Sequence, residues 1–166
     1  RVVIEEFLEG PEVSIHALVD GESYLLFPSA QDHKRAMDHD AGLNTGGMGT
    51  YCPVPQLDAT MQDRVRTEVL ERFLEGLKAE GIRYQGMLFP GLILTADGPR
   101  VLEFNCRFGD PETQVLLSLL ESDLLDLLEA CLDGTLSQQR PHWKSGSAVC
   151  VIAASGGYPE AYTAGK

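Results

Sequence analysis

The stretch Gln85-Gly86-Met87-Leu88-Phe89-Pro90-Gly91-Leu92-Ile93-Leu94-Thr95 is apolar along nearly its whole length and reads as a buried strand. Ala96-Asp97-Gly98-Pro99 follows as a turn, and Arg100–Asn105 resumes as a second strand. After a short loop, Asp110-Pro111-Glu112 combines an N-cap residue, a proline at the first helical position and an acidic residue just inside it, three agreeing helix-start signals. A strand pair running through a tight turn and then into a helix is the nucleus of an α+β fold with antiparallel strands.

Downstream, two leucine-rich helices are expected over about Pro111–Glu121 and Asp123–Asp133, the second closed by Gly134. Gly146–Ala154 reads as a last buried strand and runs into Ser155-Gly156-Gly157-Tyr158-Pro159. Upstream, Val2-Val3-Ile4 reads as a buried strand ahead of Glu5-Glu6-Phe7. In Glu12–Val19, residues Val13, Ile15, Ala17 and Val19 share one face, a half-buried strand of period two. Asp20-Gly21 signals a hairpin, and Glu22–Phe27 is its return strand. From Pro28 to Pro55 the pattern stops, in a loop rich in Gly, Asp, Asn and Pro, and a loop this long is usually functional or disordered. Asp58–Gly81 is an amphipathic helix in which Met61, Val65, Val69, Phe73 and Leu77 recur every four residues. The sum is an α+β chain, an antiparallel sheet with helices packed on one face.

The 166 residues suffice for one ordinary domain, and 43% hydrophobic with 23% charged residues is a globular composition. The chain opens on Arg1 and closes in a loop at Lys166, as a piece of a longer protein would. Its formal net charge of −12 argues against nucleic acid, whose binders gather Lys and Arg. Cys52, Cys106, Cys131 and Cys150 form no C-x-x-C pair and read as reduced thiols of a cytoplasmic protein. No apolar run approaches the roughly 20 residues that span a bilayer.

Glu103 and Asn105 stand two apart on a strand and so project to one face, offering hard oxygen ligands of the kind Mg²⁺ takes. By spacing alone, an ordinary solvated strand face is the simpler account. The loop that follows shifts the balance, because Arg107 adds a planar fork of donors and the helix start beyond it is an anion-binding terminus. Gln31-Asp32-His33-Lys34-Arg35 and Asn44-Thr45-Gly46-Gly47-Met48-Gly49 place charges and flexible glycines in the long loop, without the Gly-Lys-Ser/Thr ending of a P-loop. A solvated charge cluster beside a glycine turn explains them equally well. The histidines lack zinc-site spacing.

Together these motifs resemble one family. Glu5-Glu6-Phe7-Leu8, with Gly10 and Glu12, is similar to the adenine hinge of ATP-grasp enzymes. The segments 31–35, 44–49, 103–114 and 155–159 resemble phosphoribosylamine–glycine ligases, and the resemblance covers the chain in order. It implies an ATP-grasp fold, with residues 1–144 as the C-terminal part of the ATP-grasp domain and 145–166 as the beginning of a C-terminal domain. It implies that Glu5, Glu6, Phe7 and Leu8 contact adenine, that Leu102 packs on it, and that Glu12 holds the ribose hydroxyls. Glu103 and Asn105 would hold Mg²⁺ or Mn²⁺, and Arg107 would act on the transferring phosphoryl group. Asp32, Lys34, Asn44, Thr45, Gly46, Gly47 and Asp110 would line the pocket for glycine and phosphoribosylamine. The implied activity is ATP-dependent ligation of these two in purine biosynthesis, with little activity in this stretch alone. Alternatives are another ATP-grasp carboxylate–amine ligase and a non-catalytic binding module on the same fold.

Overall fold

The computed structural model describes residues 2–165. Strand β1 (Glu12–Ser14) and strand β2 (Ala17–Val19) form the interrupted version of the expected first strand. Strand β3 (Tyr24–Leu26) returns beside β2. The turn between them takes four residues, because Asp20 draws the backbone N–H groups of Glu22 and Ser23 onto its carboxylate.

The segment expected to be a loop holds four short strands: β4 (Gln31–Asp32), β5 (Arg35–Met37), β6 (Ala41–Asn44) and β7 (Gly49–Cys52). Such short, polar strands carry no period-two signal of their own and exist through their partners. The pair β5–β6 is an exposed hairpin.

Helix α1 (Ala59–Val65) is capped by Asp58, whose carboxylate accepts the Met61 N–H at 2.8 Å. A π-helical segment, Arg66–Glu71, links it to helix α2 (Arg72–Ala79). Apolar residues spaced by four drift around a helix of 3.6 residues per turn, and the wider π turn takes up the excess. Val65, Val69 and Leu70 thereby stay on the sheet. Gly81, at φ +66°, adopts the left-handed conformation expected just beyond the helix.

Strand β8 (Gly86–Thr95) is the spine, and strand β9 (Gly98–Asn105) pairs along its outer side. On its other side β8 pairs first with β2 and then with β1, all antiparallel. Helix α3 (Glu112–Leu119), helix α4 (Leu124–Asp133) and strand β10 (Ala148–Val151) complete the chain. A second sheet, in the order β10-β7-β4, adjoins the first through the Ser14–Ala30 bridge.

The antiparallel α+β architecture is as expected, with one refinement. Ala17 and Val19 pack with Leu70 and Leu88 under the long helix. Leu18, pointing the other way, packs with Leu116 and Leu127 of α3 and α4. Each such fully buried leucine contributes about 1.5–3 kcal/mol relative to an exposed one. The helices therefore clamp β2 from both faces.

Three local expectations are corrected. Val2, Val3 and Ile4 form no strand and are 80% exposed or more, because no neighbouring strand among the described residues pairs with them. Asp110 is not the N-cap of α3: Pro111 occupies that position, and the Asp110 carboxylate instead accepts from Gln114 Nε2 at 2.7 Å. Helix α3 also stops at Leu119, where Leu120 turns extended to bridge Trp143.

Candidate functional site

Strand β9 has a partner on one side only, so its last residues stand open at the sheet edge. Glu103 and Asn105 project together there, with Asn105 Nδ2 donating to Glu103 Oε1 at 3.1 Å and to the Phe89 carbonyl at 3.4 Å. Arg107 folds back over them. Its Nη1 donates to the Phe108 carbonyl at 3.0 Å, its Nη2 lies 3.5 Å from Asn105 Oδ1, and the guanidinium sits 5.9 Å above the Phe89 ring.

These residues fit a divalent ion of the Mg²⁺ type. Glu103 and Asn105 supply two hard oxygens once the amide turns to present Oδ1, and an open edge leaves the rest of the octahedron to water and phosphate. No group of three or more His, Cys, Asp and Glu side chains among the described residues forms a closed metal cage.

Across from this edge, Lys34 and Glu12 form an ion pair at 3.0 Å, each side chain about half exposed. Burial works against the Lys34 charge, but the Glu12 carboxylate outweighs it and holds the ammonium above the usual lysine range. Asp32, two residues earlier in the chain, behaves in the opposite sense. Its own burial and the neighbouring Glu112 carboxylate push its carboxyl up to about 7, against the pull of Lys34. A cavity of about 20 Å³ lies between Glu12, Ser14, Asp32, Lys34, Leu102 and Glu103. A wider cleft of about 380 Å³ shares Glu12, Asp32 and Lys34 with it and reaches Gly10, Arg35 and Asn44. The larger cavity of about 490 Å³ between Asp20, Lys78 and Tyr84 includes none of these residues.

The glycine-rich loop is folded back on the Asp32–Lys34 segment. Thr45 donates through its amide and its hydroxyl to the Lys34 carbonyl, at 2.7 and 2.8 Å. The Gly46 amide donates to Tyr158 Oη at 2.9 Å. Gly47 is held at φ +117°, where a Cβ would stand 2.5 Å from Pro111 Cδ and 2.8 Å from Asp32 Oδ1, so no side chain fits.

Of the residues singled out from sequence, Glu12, Asp32, Lys34, Leu102, Glu103, Asn105 and Arg107 thus converge, with Asn44 to Gly47 at the border. Two groups do not join them. Glu5, Glu6, Phe7 and Leu8 run as extended chain with no described hydrogen bond or ion pair to the rest. Asp110 is exposed and engaged with Gln114.

Three residues beneath the site were not singled out. Ser14 Oγ donates to Glu112 Oε1 at 2.7 Å, and both residues are buried. His16, fully buried, accepts the Gly109 N–H on Nε2 at 3.1 Å and stacks on Phe89 at 4.2 Å. Burial, then the nearby Arg107 charge, drives its pKa down to about 3, so it stays neutral. The available signal was the polar pair Ser14 and His16 at alternate positions of an otherwise apolar strand.

An antiparallel sheet carrying paired oxygen ligands and an arginine at its edge is the build of an ATP-grasp domain. The chain belongs to the family of phosphoribosylglycinamide synthetase ATP-grasp (A) domains, whose model matches residues 1–113. It is 58% identical over 165 residues to the trifunctional purine biosynthetic protein adenosine-3 of Drosophila melanogaster, covering 99% of this chain and 12% of that protein. It is 53% identical to the phosphoribosylamine–glycine ligase of Allochromatium vinosum, covering 99% of this chain and 39% of the relative. The crystal structure of phosphoribosylamine–glycine ligase from Thermotoga maritima superimposes with a TM-score of 0.81 at 37% identity, over 96% of this chain and 40% of that one. The chain thus spans well under half the length of each. Among the described residues, no helix is long and apolar enough to cross a membrane.

Proposed function

We propose that this chain is the metal- and nucleotide-handling part of a phosphoribosylamine–glycine ligase, working in the cytoplasm. The whole protein would join glycine to 5-phosphoribosylamine at the expense of ATP, giving glycinamide ribonucleotide, ADP and phosphate. The observation that carries the reading is the cleft that brings Glu103 together with Asp32 and Lys34, with Asn105 and Arg107 hydrogen-bonded in series beside Glu103. Residues 1–144 are read as the C-terminal part of the ATP-grasp domain and 145–166 as the start of the next, the two meeting where β10 pairs with β7.

The reaction proceeds in two displacements. The glycine carboxylate attacks the γ-phosphorus of ATP, ADP leaves, and a glycyl phosphate forms. The amine of phosphoribosylamine then attacks the acyl carbon, phosphate leaves, and the amide remains. Both steps ask for positioning and charge neutralisation in a site shielded from water. Mg²⁺ or Mn²⁺ held by Glu103 and Asn105 would neutralise phosphate charge. Arg107 would hold a phosphoryl oxygen, a reading supported by its guanidinium lying beside Asn105 and being anchored through the Phe108 carbonyl. Glu12 would receive the ribose hydroxyls, with Lys34 holding its carboxylate in place. Leu102 would offer its exposed face to the adenine, and Glu5–Leu8 the hinge contacts. The loop Asn44–Gly47, with Asp32 beneath it, would close over glycine and the acyl phosphate.

The test is ADP release by the whole protein, with glycine and phosphoribosylamine supplied singly and together. Release that requires both, and Mg²⁺, and that falls at least a hundredfold in Glu103→Ala, is expected. Release driven by a different acid or amine would assign the domain to another ATP-grasp ligase. Absence of any turnover, with nucleotide binding indifferent to Glu103→Ala, would make it a binding module.

A further inference from the structure

Of the segments singled out in the sequence, 155–159 takes no part in the chemistry described so far. It lies beyond β10 in a pair of turns. The Tyr158 amide donates to the Ser155 carbonyl at 3.1 Å, and the Glu160 amide to the Gly157 carbonyl at 2.9 Å. Gly157 sits at φ +96°, where a Cβ would run into the Ala161 carbonyl, so this turn requires glycine. The half-buried Tyr158 ring meets Tyr162 edge to face, with centroids 5.4 Å apart. Its hydroxyl reaches back 112 residues to the Gly46 amide.

The backbone of the glycine-rich loop shows what that reach does. Four consecutive amides are each taken. Thr45 N–H donates to the Lys34 carbonyl at 2.7 Å, Gly47 N–H to Thr45 Oγ1 at 3.1 Å and Met48 N–H to the His33 carbonyl at 2.9 Å. Those partners all lie within residues 33–48. Gly46 alone takes a partner from elsewhere, Tyr158 Oη at 2.9 Å. The base of the loop is fastened separately, since Gly49 stands opposite Val151 in the strand register and the Ile152 N–H donates to the Met48 carbonyl at 3.0 Å. On its inner side the tip is wedged, with no room for a side chain between Gly47 and Pro111. Among the described residues, Tyr158 thus supplies the one side-chain hydrogen bond that holds the exposed tip from outside its own hairpin. A Gly-Gly tip has wide backbone freedom, so a single tie of this kind shifts its balance between closed and open by a measurable factor.

We propose that Tyr158 is a positioning residue whose hydroxyl latches the glycine-rich loop closed, so that the segment after β10 controls how well the cleft is sealed. The inference rests on the reading of Asn44–Gly47 as the loop that closes over the acyl phosphate. It has a chemical consequence. When the latch is released, water enters and attacks the acyl carbon of glycyl phosphate. The carbon–oxygen bond to phosphate breaks, glycine and phosphate return, a proton passes to solvent, and the net reaction is hydrolysis of ATP. Loss of the latch therefore shows as ADP formed without amide, not as a uniformly slower enzyme.

The experiment uses the whole protein with ATP, Mg²⁺, glycine and phosphoribosylamine, and measures ADP and amide product separately. Tyr158→Phe removes the hydroxyl and keeps the ring against Tyr162. ADP in excess of amide, small in the wild type, should rise about threefold to tenfold in Tyr158→Phe, with KM for ATP within about twofold. Tyr162→Phe should match the wild type. Hydrogen exchange at the Gly46 amide reads the latch without reference to catalysis. In the wild type it should run about threefold to tenfold slower than at a free glycine amide, and Tyr158→Phe should abolish that protection. If Tyr158→Phe does not fold, judged by its melting curve, the wild-type exchange carries the test. An unprotected Gly46 in the wild type would overturn the latch. So would a folded Tyr158→Phe in which ADP and amide stay matched, whether at full rate or uniformly slowed. Wild-type ADP release that ignores glycine would overturn the ligase reading, and Gly46 protection lost in Tyr158→Phe would then uphold the latch by itself.

Discussion

Asp32 is where site and stability pull against each other. Its carboxyl titrates at about 7 in the folded chain, through burial and Glu112, against about 3.9 when unfolded. Between those values the folded state retains a proton that the unfolded state has released, so folding loses stability as pH rises through that window. Asp32→Asn removes the titration. Its melting temperature relative to wild type should rise between about pH 5 and about pH 8, and a flat or falling difference in thermal denaturation would refute the assignment. Gly47 is the neighbouring constraint. Gly47→Ala forces a Cβ into Pro111 and Asp32 at φ +117°, and should cost about 1–3 kcal/mol in urea denaturation. Glu103 and Asn105 were legible because strand periodicity puts alternate side chains on one face, and Arg107 because it follows them in the short loop leading to a helix start. Ser14, His16 and Glu112 were not, because what buries them lies 93 to 98 residues away in the chain.

At the scale of elements, the loop between β9 and α3 is bolted from below. Ser14 and His16, two residues apart on the β1–β2 run, hold Glu112 and the Gly109 amide respectively. The loop that carries Arg107 therefore rests on two anchors from one strand. Ser14→Ala leaves the Glu112 carboxylate buried with one partner fewer. It should cost about 1–3 kcal/mol by chemical denaturation, with a larger loss of kcat than of ATP affinity. The long elements were readable from sequence: ten-residue β8, the Asp58-capped helix and Gly134-closed α4 each carry a sustained period and a terminal signal. Strands β4 to β7 were not, since two to four residues cannot display a period. The break at Ile15–His16 was hidden for a different reason: the register against β8 runs through it unchanged, and Ile15 N–H still donates to the Pro90 carbonyl, but Pro90 has no N–H to complete the ladder.

The molecule as a whole presents several apolar faces to solvent. Val2, Val3, Ile4 and Phe7 project from an extended segment, and Val101, Ile82 and Phe104 line an open groove beside the long helix. The relatives it matches are more than twice as long, so this chain holds Glu103, Asn105 and Arg107 within well under half of such a protein. The 166-residue polypeptide by itself should release ADP at least a hundredfold more slowly than the whole protein under matched Mg²⁺ and substrates. Comparable rates would show that the residues described here suffice.

The β7–β10 pairing and the Gly46–Tyr158 hydrogen bond join points up to 112 residues apart. Closing a loop of that length is entropically costly, and such contacts form late in folding. On the ribosome the delay is built in, since β7 emerges long before β10 has been synthesised. The glycine-rich loop over Asp32 therefore waits for its clasp, and a nascent chain carries the formed β8–β9 edge with Glu103 and Asn105 before that loop is fastened.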